Sequence, residues 1–405
     1  MPLRILYALH TVDPKAAGLT EDVLLLSAAH RSLKHRIEIL TFDAPGTSWL
    51  LELGMPVHRV GGKNPHRVAS RQFLQWLREH AAGYDCVLVS GVAGFNAFRA
   101  WQILREVDAP YFIFAPRHLG FLSGLPKQFE KWKQRLCWLW GGYPLFRDAH
   151  AIFFSSEEAR RKARQAFWPY DCHEFLLTCG VPGPPAGVAD AARDEFFAGH
   201  PALLGKRIFT VFADESGNVP KALLGAVRTL LDTGRWERGS MRLLIAGGTD
   251  DARAMELHNL GDIVTLVGKP LDRERWGMLQ ASEALLQPTH RENSDWMVTE
   301  AFSVGTPVLI ARGVNLWREV MLHAAGFAGE DTVDGYADLF THWFDQSPAE
   351  RAAMRTHARQ GFETHFSEQA AANTLTAVAY LLIGASRANT NSIAPEIFRN
   401  QTDFL

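Results

Sequence analysis

The chain has 405 residues, too many for one ordinary core and suited to two domains of roughly 150–200 residues each. With 47% hydrophobic and 21% charged residues it is globular rather than disordered, and a formal net charge of -2 excludes an overall pull towards nucleic acid or anionic lipid. No apolar run approaches the ~20 residues of a membrane span, and Met1 to Tyr7 enters a strand pattern without the zones of a secretory signal. The expected location is therefore the cytoplasm, or the membrane face that borders it.

Short apolar runs alternate with longer segments of helical period, which predicts an α/β fold of parallel sheets covered by helices. In the first half the expected strands are Arg4–His10, Arg36–Phe42, Pro56–Val60, Asp85–Ser90, Pro110–Ala115, His150–Ser155 and Glu174–Thr178. Between the first two, Thr20–Leu33 reads as a helix, with Glu21 and Asp22 in its opening turn and Val23, Leu24, Ala28 and Leu33 as its buried stripe. The segment Lys127–Arg147 interleaves Lys127, Lys131, Lys133, Arg135 and Arg147 with Phe129, Trp132, Trp138, Trp140 and Tyr143. It reads either as a helix lying at a bilayer interface or as a core helix with a solvated basic face.

The run Gly180-Val181-Pro182-Gly183-Pro184-Pro185 can continue neither helix nor strand, so the inter-domain linker is placed there. The second half restarts the alternation, with strands expected at Arg207–Ala213, Arg242–Ala246, Ile263–Val267, Ala284–Gln287 and Pro307–Ala311, then three helical segments ending near Leu382. The expected organisation is an N-terminal Rossmann-like domain over 1–180, a C-terminal one over 181–383 and a polar tail over 384–405. Two such domains facing each other leave a cleft at the carboxyl ends of the strands, where these sheets bind ligands. The four cysteines, Cys86, Cys137, Cys172 and Cys179, form no CxxC pair and are expected to be reduced. No zinc-ligand spacing and no Asp-x-Asp is seen, so neither metal nor cofactor is expected.

The most informative stretch runs from Pro288 to Val308 and contains Glu292-Asn293-Ser294-Asp295-Trp296 and Glu300-Ala301, closing on Gly305-Thr306-Pro307-Val308. It follows a strand and opens a helix for which Asn293, Ser294 and Asp295 are cap candidates. Glu292 then lies in the loop at the sheet edge and Glu300 about a turn into the helix. Ionised carboxylates only accept hydrogen bonds and suit pairs of sugar hydroxyls, while first-turn amides face an anion. His118 ends a strand facing the expected cleft, as does His10, and each reads as a sugar contact or as a satisfied surface residue.

This stretch resembles the E-x7-E segment of family 4 of the retaining, GT-B-fold glycosyltransferases. Other pieces fall in the family's order. Arg4-Ile5-Leu6-Tyr7 with Ala16-Ala17-Gly18-Leu19 is similar to its first strand and small-residue loop. Pro110 to His118 is similar to its strand ending in P-[HR]-G, and Thr178-Cys179-Gly180-Val181 to its entry into the second domain. Ala246-Gly247-Gly248 and Val267-Gly268 stand where it has glycine-bearing strand ends. The resemblance implies that Glu300 binds the nucleotide ribose and that Glu292 contacts the donor sugar beside the reacting centre, and the position of His118 at a strand end adds it as a donor-sugar or acceptor contact. It implies donor contacts from Gly18, Gly268, Asn293, Ser294, Asp295 and Trp296.

The family's diphosphate Arg has no counterpart in Val211-Phe212-Ala213-Asp214, and Lys221-Ala222 replaces its Lys-Gly. Lys221 is the expected phosphate ligand, with Ser216-Gly217-Asn218 adding backbone donors as an anion nest. The activity implied is metal-independent, retaining transfer of a sugar from a nucleotide diphosphate-sugar to a hydroxyl of a glycan or lipid-linked acceptor, as in polysaccharide biosynthesis. A peripheral membrane contact through Lys127–Arg147 and no nucleic-acid partner go with it. The alternatives are a sugar-nucleotide epimerase on the same fold and a catalytically impaired GT-B binding subunit.

Overall fold

The computed structural model describes residues 2–9, 11–12, 26–27, 29, 31, 33–43, 55–60, 68–90, 95–115, 138–166, 169–214, 217–247, 260–289 and 294–388. The chain divides into two compact units, one made of Met1–Gly180 with the segment from Glu368 onward, the other of Val181–Ser367. Each is a Rossmann-like α/β unit built on a parallel sheet, with helices between most of its successive strands among the described residues.

In the first unit the strands β1 (Arg4–Leu9), β2 (Arg36–Thr41), β3 (Val57–Arg59), β4 (Cys86–Ser90), β5 (Tyr111–Ala115), β6 (Ala151–Phe154) and β7 (Glu174–Leu176) lie in the order β3-β2-β1-β4-β5-β6-β7. β1 is central, with Ile5 opposite Ile37 of β2 and Cys86 of β4. Its side chains alternate between two cores. Leu6 and Ala8 join Phe73 and Leu77 of the helix Val68–His80 on one face, and Ile5, Tyr7 and Leu9 enter the other. A strand covered on both faces is apolar wherever it is buried, which is why Ile5 to Leu9 reads as a continuous run after the exposed Arg4.

What covers the second face corrects the expected domain boundary. The helix Glu368–Ala388, assigned from sequence to the C-terminal domain, places Ala371, Leu375, Val378 and Ala379 against Ile5, Tyr7, Ile37 and Phe112 of the first sheet. His35 fastens it there: its Nδ1 accepts from the Leu3 amide at 3.0 Å, which leaves Nε2 to donate to Thr376 Oγ1 at 3.1 Å. An i, i+4, i+7, i+8 stripe announces a buried face without saying which sheet buries it.

The second unit holds β8 (Arg207–Phe212), β9 (Met241–Ala246), β10 (Val264–Val267), β11 (Ala284–Gln287), β12 (Val308–Ala311) and β13 (Gly326–Gly329), in the order β10-β9-β8-β11-β12-β13. The twelve expected strands all form, with ends within two residues, as β1 to β12. β13 was not expected, because its sequence GFAG carries two glycines in four residues. Packing demands the first of them. Gly326 has φ 156°, and a Cβ there would meet the Val308 carbonyl oxygen at 1.9 Å. The chain enters and leaves this unit at neighbouring points, Val181 bridging Ser367.

Of the helix expected at Thr20–Leu33, Val23, Leu24 and Ala28 lie outside the described residues. Residues 26, 27, 29 and 31 are helical, with Leu26 and Ala29 buried. Most of Lys127–Arg147 also lies outside them. Trp138 does not, and it belongs to the core, edge-on to Phe146 and stacked on Tyr170, with its Nε1 donating to the Pro169 carbonyl. That aromatic side chain is therefore not part of a bilayer-facing surface. Among the described residues no helix is long and apolar enough to cross a membrane. Cys86, Cys172 and Cys179 take part in no disulfide, and Cys86 is fully buried.

A histidine cluster in the second unit links packing to pH. His323 packs edge-on to Phe302 and Phe366 and lies 4.9 Å from the His365 ring. Burial, then the charges of His365 and His357, hold its imidazole down to about 4.

Two outcomes follow from this packing. Leu375→Ala should cost about 2–5 kcal/mol, as for other buried leucines, and should lower amide-exchange protection in β1 and β2 while sparing β8 and β11. Loss confined to β8 and β11 would place the helix in the wrong unit. Protonation of His323 provides the second. The unfolded chain takes up this proton near pH 6.5 and the folded one near 4, so stability is complete above 6.5 and declines as pH falls towards 4. The slope for this group is up to about 1.4 kcal/mol per pH unit. Urea unfolding at pH 6.5, 5.5 and 4.5 should show a shallower decline in His323→Leu than in wild type, and equal declines would remove the assignment.

Candidate active site

In an open parallel sheet the ligand crevice lies where the strand order reverses, beyond the carboxyl ends of the strands. In the second unit that point is between β8, from which β9 and β10 run one way, and β11, from which β12 and β13 run the other. Lys221 and Glu300 belong to the helices that follow these two strands.

β8 leads into a turn closed by Asp214. The Asp214 amide donates to the Asn218 carbonyl at 2.9 Å, the Gly217 amide to the Asp214 carbonyl at 2.9 Å, and the Asn218 amide to Asp214 Oδ1 at 2.8 Å. The anion nest expected at Ser216-Gly217-Asn218 is thereby corrected: two of its three amides are spent within the turn, and Ser216 lies outside the described residues. The turn delivers the chain to the helix Lys221–Asp232, whose N-cap is Pro220 and which has no side-chain cap. Proline at that position supplies no capping oxygen, so the positive end of the helix opens beside the exposed Lys221 side chain.

β11 leads through Pro288 and Thr289 to the helix Ser294–Ser303. Thr289 abuts Gly313 at the end of β12, where a Cβ would meet Thr289 Oγ1 at 2.3 Å. Glu292 and Asn293 lie outside the described residues, as do His118, His10 and Gly18. Ser294 opens the helix, Asp295 stands half-buried in its first turn, and Trp296 is half-buried behind it. Met297, Val298, Ala301 and Phe302 bury the opposite face in the core. Glu300 is the seventh helical residue, about 9 Å along the axis from Ser294. That is nearly two turns in rather than the one expected, because the helix begins at Ser294.

Glu300 is buried, with only 4% of its surface exposed, and its carboxylate is gripped from the neighbouring helix Asp272–Ala281. Arg275 Nε donates to Glu300 Oε2 at 3.0 Å and Arg275 Nη2 to Oε1 at 3.1 Å. The same Nη2 donates to Asp272 Oδ1 at 2.6 Å, and the guanidinium carbon stands 4.6 Å from the centre of the Trp296 ring. Trp296 and Glu300 are four apart, so one helix face presents both and Arg275 lies across them. Burial works against the Arg275 charge, but Glu300 and Asp272 outweigh it and hold its pKa above the ordinary value. The sequence reading did not find Arg275, because nothing local links it to a residue 25 positions further on.

The far end of this helix is also pinned. Gly305, at φ 71°, takes the left-handed turn that lets the Thr306 amide donate to the Ala301 carbonyl at 2.8 Å. Arg359 donates to the Ser303 carbonyl, and Arg355 to those of Gly305 and Ser282. Two cations thus satisfy the negative ends of the helix carrying Glu300 and the helix carrying Arg275. Gly268, just beyond β10, accepts from the Gly247 amide at 3.3 Å. It borders a cavity of about 460 Å³ that is also lined by Phe196, His200, Lys269, Arg273 and Met278.

Comparison with known proteins agrees with this architecture unit by unit. Residues 17–174 match the glycosyl transferase 4-like domain, and residues 208–361 match the glycosyl transferases group 1 domain. No curated protein matches the chain in sequence. Among solved structures it is similar to HepE of Anabaena, determined in complex with UDP, at 13% identity and TM-score 0.68, covering 93% of this chain and 99% of that one. It is similar to sucrose-phosphate synthase of Thermosynechococcus elongatus at 17% identity and TM-score 0.65, covering 95% and 100%. A third, described as a putative UDP-N-acetylglucosamine 2-epimerase of Listeria monocytogenes, aligns at 14% identity and TM-score 0.52, covering 96% and 98%. At such identities the likeness is one of fold. The matched domains, one in each Rossmann-like unit, identify the chain as a glycosyltransferase of the GT-B fold.

Proposed function

We propose that the protein is a retaining glycosyltransferase that moves a sugar from a nucleotide diphosphate-sugar to a hydroxyl of a glycan or lipid-linked acceptor. One observation carries the reading. At the reversal point of the second sheet, an uncapped helix start bearing Lys221 stands on one strand and the helix bearing the buried Glu300 on the next. A cation with a helix dipole suits a diphosphate, and a fixed carboxylate suits a pair of hydroxyls. The UDP held by the similar HepE structure supports a nucleotide donor and makes uridine sugars the first to test.

In this reading Lys221 and the leading amides of its helix stabilise the charge that builds on the departing diphosphate. Glu300 receives the ribose hydroxyls. Glu292 and His118 orient the donor sugar, and the first turn from Ser294 to Trp296 flanks the phosphates. The bond from the anomeric carbon to the diphosphate oxygen breaks, the bond to the acceptor oxygen forms on the same face, and the acceptor proton passes to the leaving diphosphate. No covalent bond to the protein is required. The positive field comes from the chain itself, so the reaction proceeds without a divalent ion.

The deciding experiment measures nucleotide release from UDP-, GDP- and ADP-sugars with and without acceptor glycans. Acceptor-dependent release supports transfer, conversion of the donor sugar without acceptor supports an epimerase, and binding without turnover supports a silent subunit. Within that assay Glu292→Ala should lower kcat ~100-fold or more, if it supplies roughly 3 kcal/mol to the transition state. It should leave affinity for the free nucleoside diphosphate unchanged, and near-normal kcat removes Glu292 from the chemistry. Turnover in excess EDTA should equal turnover with magnesium. Loss on chelation and recovery with a divalent ion would overturn the metal-free mechanism.

A further inference from the structure

We propose that Gly313 is a positioning residue for the transfer: lacking a side chain, it leaves the space that Thr289 fills, and so fixes where the segment carrying Glu292 departs from the sheet. The proposal rests on the reading above, in which Glu292 meets the donor sugar. It follows from how two neighbouring strands end. Gln287 of β11 lies opposite Ile310 of β12, so Thr289 and Gly313 leave adjacent strands at the same carboxyl edge. A Cβ on Gly313 would stand 3.1 Å from Thr289 Cβ, 2.7 Å from its Cγ2 and closer still to its Oγ1. Carbon atoms rest about 3.5–4.0 Å apart, so with a side chain at 313 one partner would have to move.

Neither partner can retreat freely. Gly313 is held on both flanks, the Arg312 amide donating to the Gly329 carbonyl at 2.8 Å and the Val314 amide to the Ala311 carbonyl at 3.0 Å. Thr289 is β-branched, and because both of its γ atoms face Gly313 no staggered rotamer turns both away. Its main chain is braced from another side by Tyr336, a buried phenol whose hydroxyl donates to Asp331 Oδ1 at 2.5 Å. Burial and Asp331 push the pKa of that phenol up, while the Thr289 backbone pulls the other way, as an amide turned towards the phenol oxygen does. From Thr289 only the four residues 290–293 lead to Ser294, where the next helix starts. So short a connection passes a shift at its root on to Glu292, and a misplacement of about 1 Å can cost about 100-fold in rate. Lys221 stands on a separate helix, and Glu300 is anchored by Arg275, so binding of the free nucleotide does not follow the same shift.

The test is a double-mutant cycle on the full chain. It is read in kcat on whichever UDP-, GDP- or ADP-sugar gives acceptor-dependent release, beside calorimetric affinity for the matching nucleoside diphosphate. Gly313→Ala should lower kcat about 10- to 100-fold and leave that affinity within about threefold of wild type. Thr289→Ala removes both γ atoms, so in its background Gly313→Ala should cost no more than about threefold. A methyl that only disturbs packing predicts a lower Tm with kcat kept, or the same loss of kcat in both backgrounds, and either result overturns the proposal. If Gly313→Ala does not fold, Tyr336→Phe decides, because it loosens Thr289 without adding volume. It should lower kcat about threefold or more with nucleoside diphosphate affinity kept, and a normal kcat overturns the proposal. Glu292→Ala separates the two ideas. If it lowers kcat ~100-fold while folded Gly313→Ala turns over normally, the reading of Glu292 stands and the role of Gly313 fails. If Glu292→Ala turns over normally, or the wild type transfers from none of these donors, the reading fails and the proposal with it.

Discussion

A carboxylate removed from water is costly unless a cation and hydrogen bonds replace its solvation, and the second unit meets that demand at Glu300 with Arg275. Much of the local structure can be read as a consequence. Arg275 must approach from a neighbouring helix, so Asp272–Ala281 and Ser294–Ser303 have to be held in fixed relation. Arg355 does this at the other end, donating to the Ser282 and Gly305 carbonyls just beyond the two helices, while Trp296 and Asp272 hold the Arg275 guanidinium. Removing one partner of such a pair strands the other and typically costs about 3–5 kcal/mol. Glu300 is therefore both a candidate ligand-binding group and part of the packing, and changes there affect stability as well as binding.

The same unit answers the absence of the arginine that the resemblance leads one to expect beyond β8. Asp214 occupies the corresponding stretch, and its carboxylate and backbone close a tight turn instead of facing a phosphate. The turn spends the amides of Gly217 and Asn218, and it is followed by the exposed Lys221 at the uncapped start of its helix.

The first unit depends on a piece of chain that arrives last. Its sheet has two apolar faces, and Ala371, Leu375, Val378 and Ala379 of the C-terminal helix cover one of them. Until that helix docks, Ile5, Tyr7, Ile37 and Phe112 have one face without this cover. The N-terminal unit is thereby completed only by the segment from Glu368 onward, and the bridge of Val181 to Ser367 keeps the two crossings side by side.

The sequence alone carried the elements and the class. Continuous apolar strands, glycine and proline at the linker, and the order of short motifs were enough for twelve strands, two Rossmann-like units and a glycosyltransferase reading, because these are local signals of period and backbone geometry. They placed Glu300 in the helix that follows a strand of the second half, whereas the sheet order puts that helix and the one starting at Lys221 at the reversal point. Tertiary structure decided the rest. It returned the last helix to the first sheet, since an amphipathic stripe does not name its partner. It made a strand of GFAG, since only close packing on Val308 explains Gly326. It turned Gly217 and Asn218 inward and brought Arg275 to Glu300, since a pairing across 25 residues is set by how two helices lie together and leaves no local trace in the residues between them.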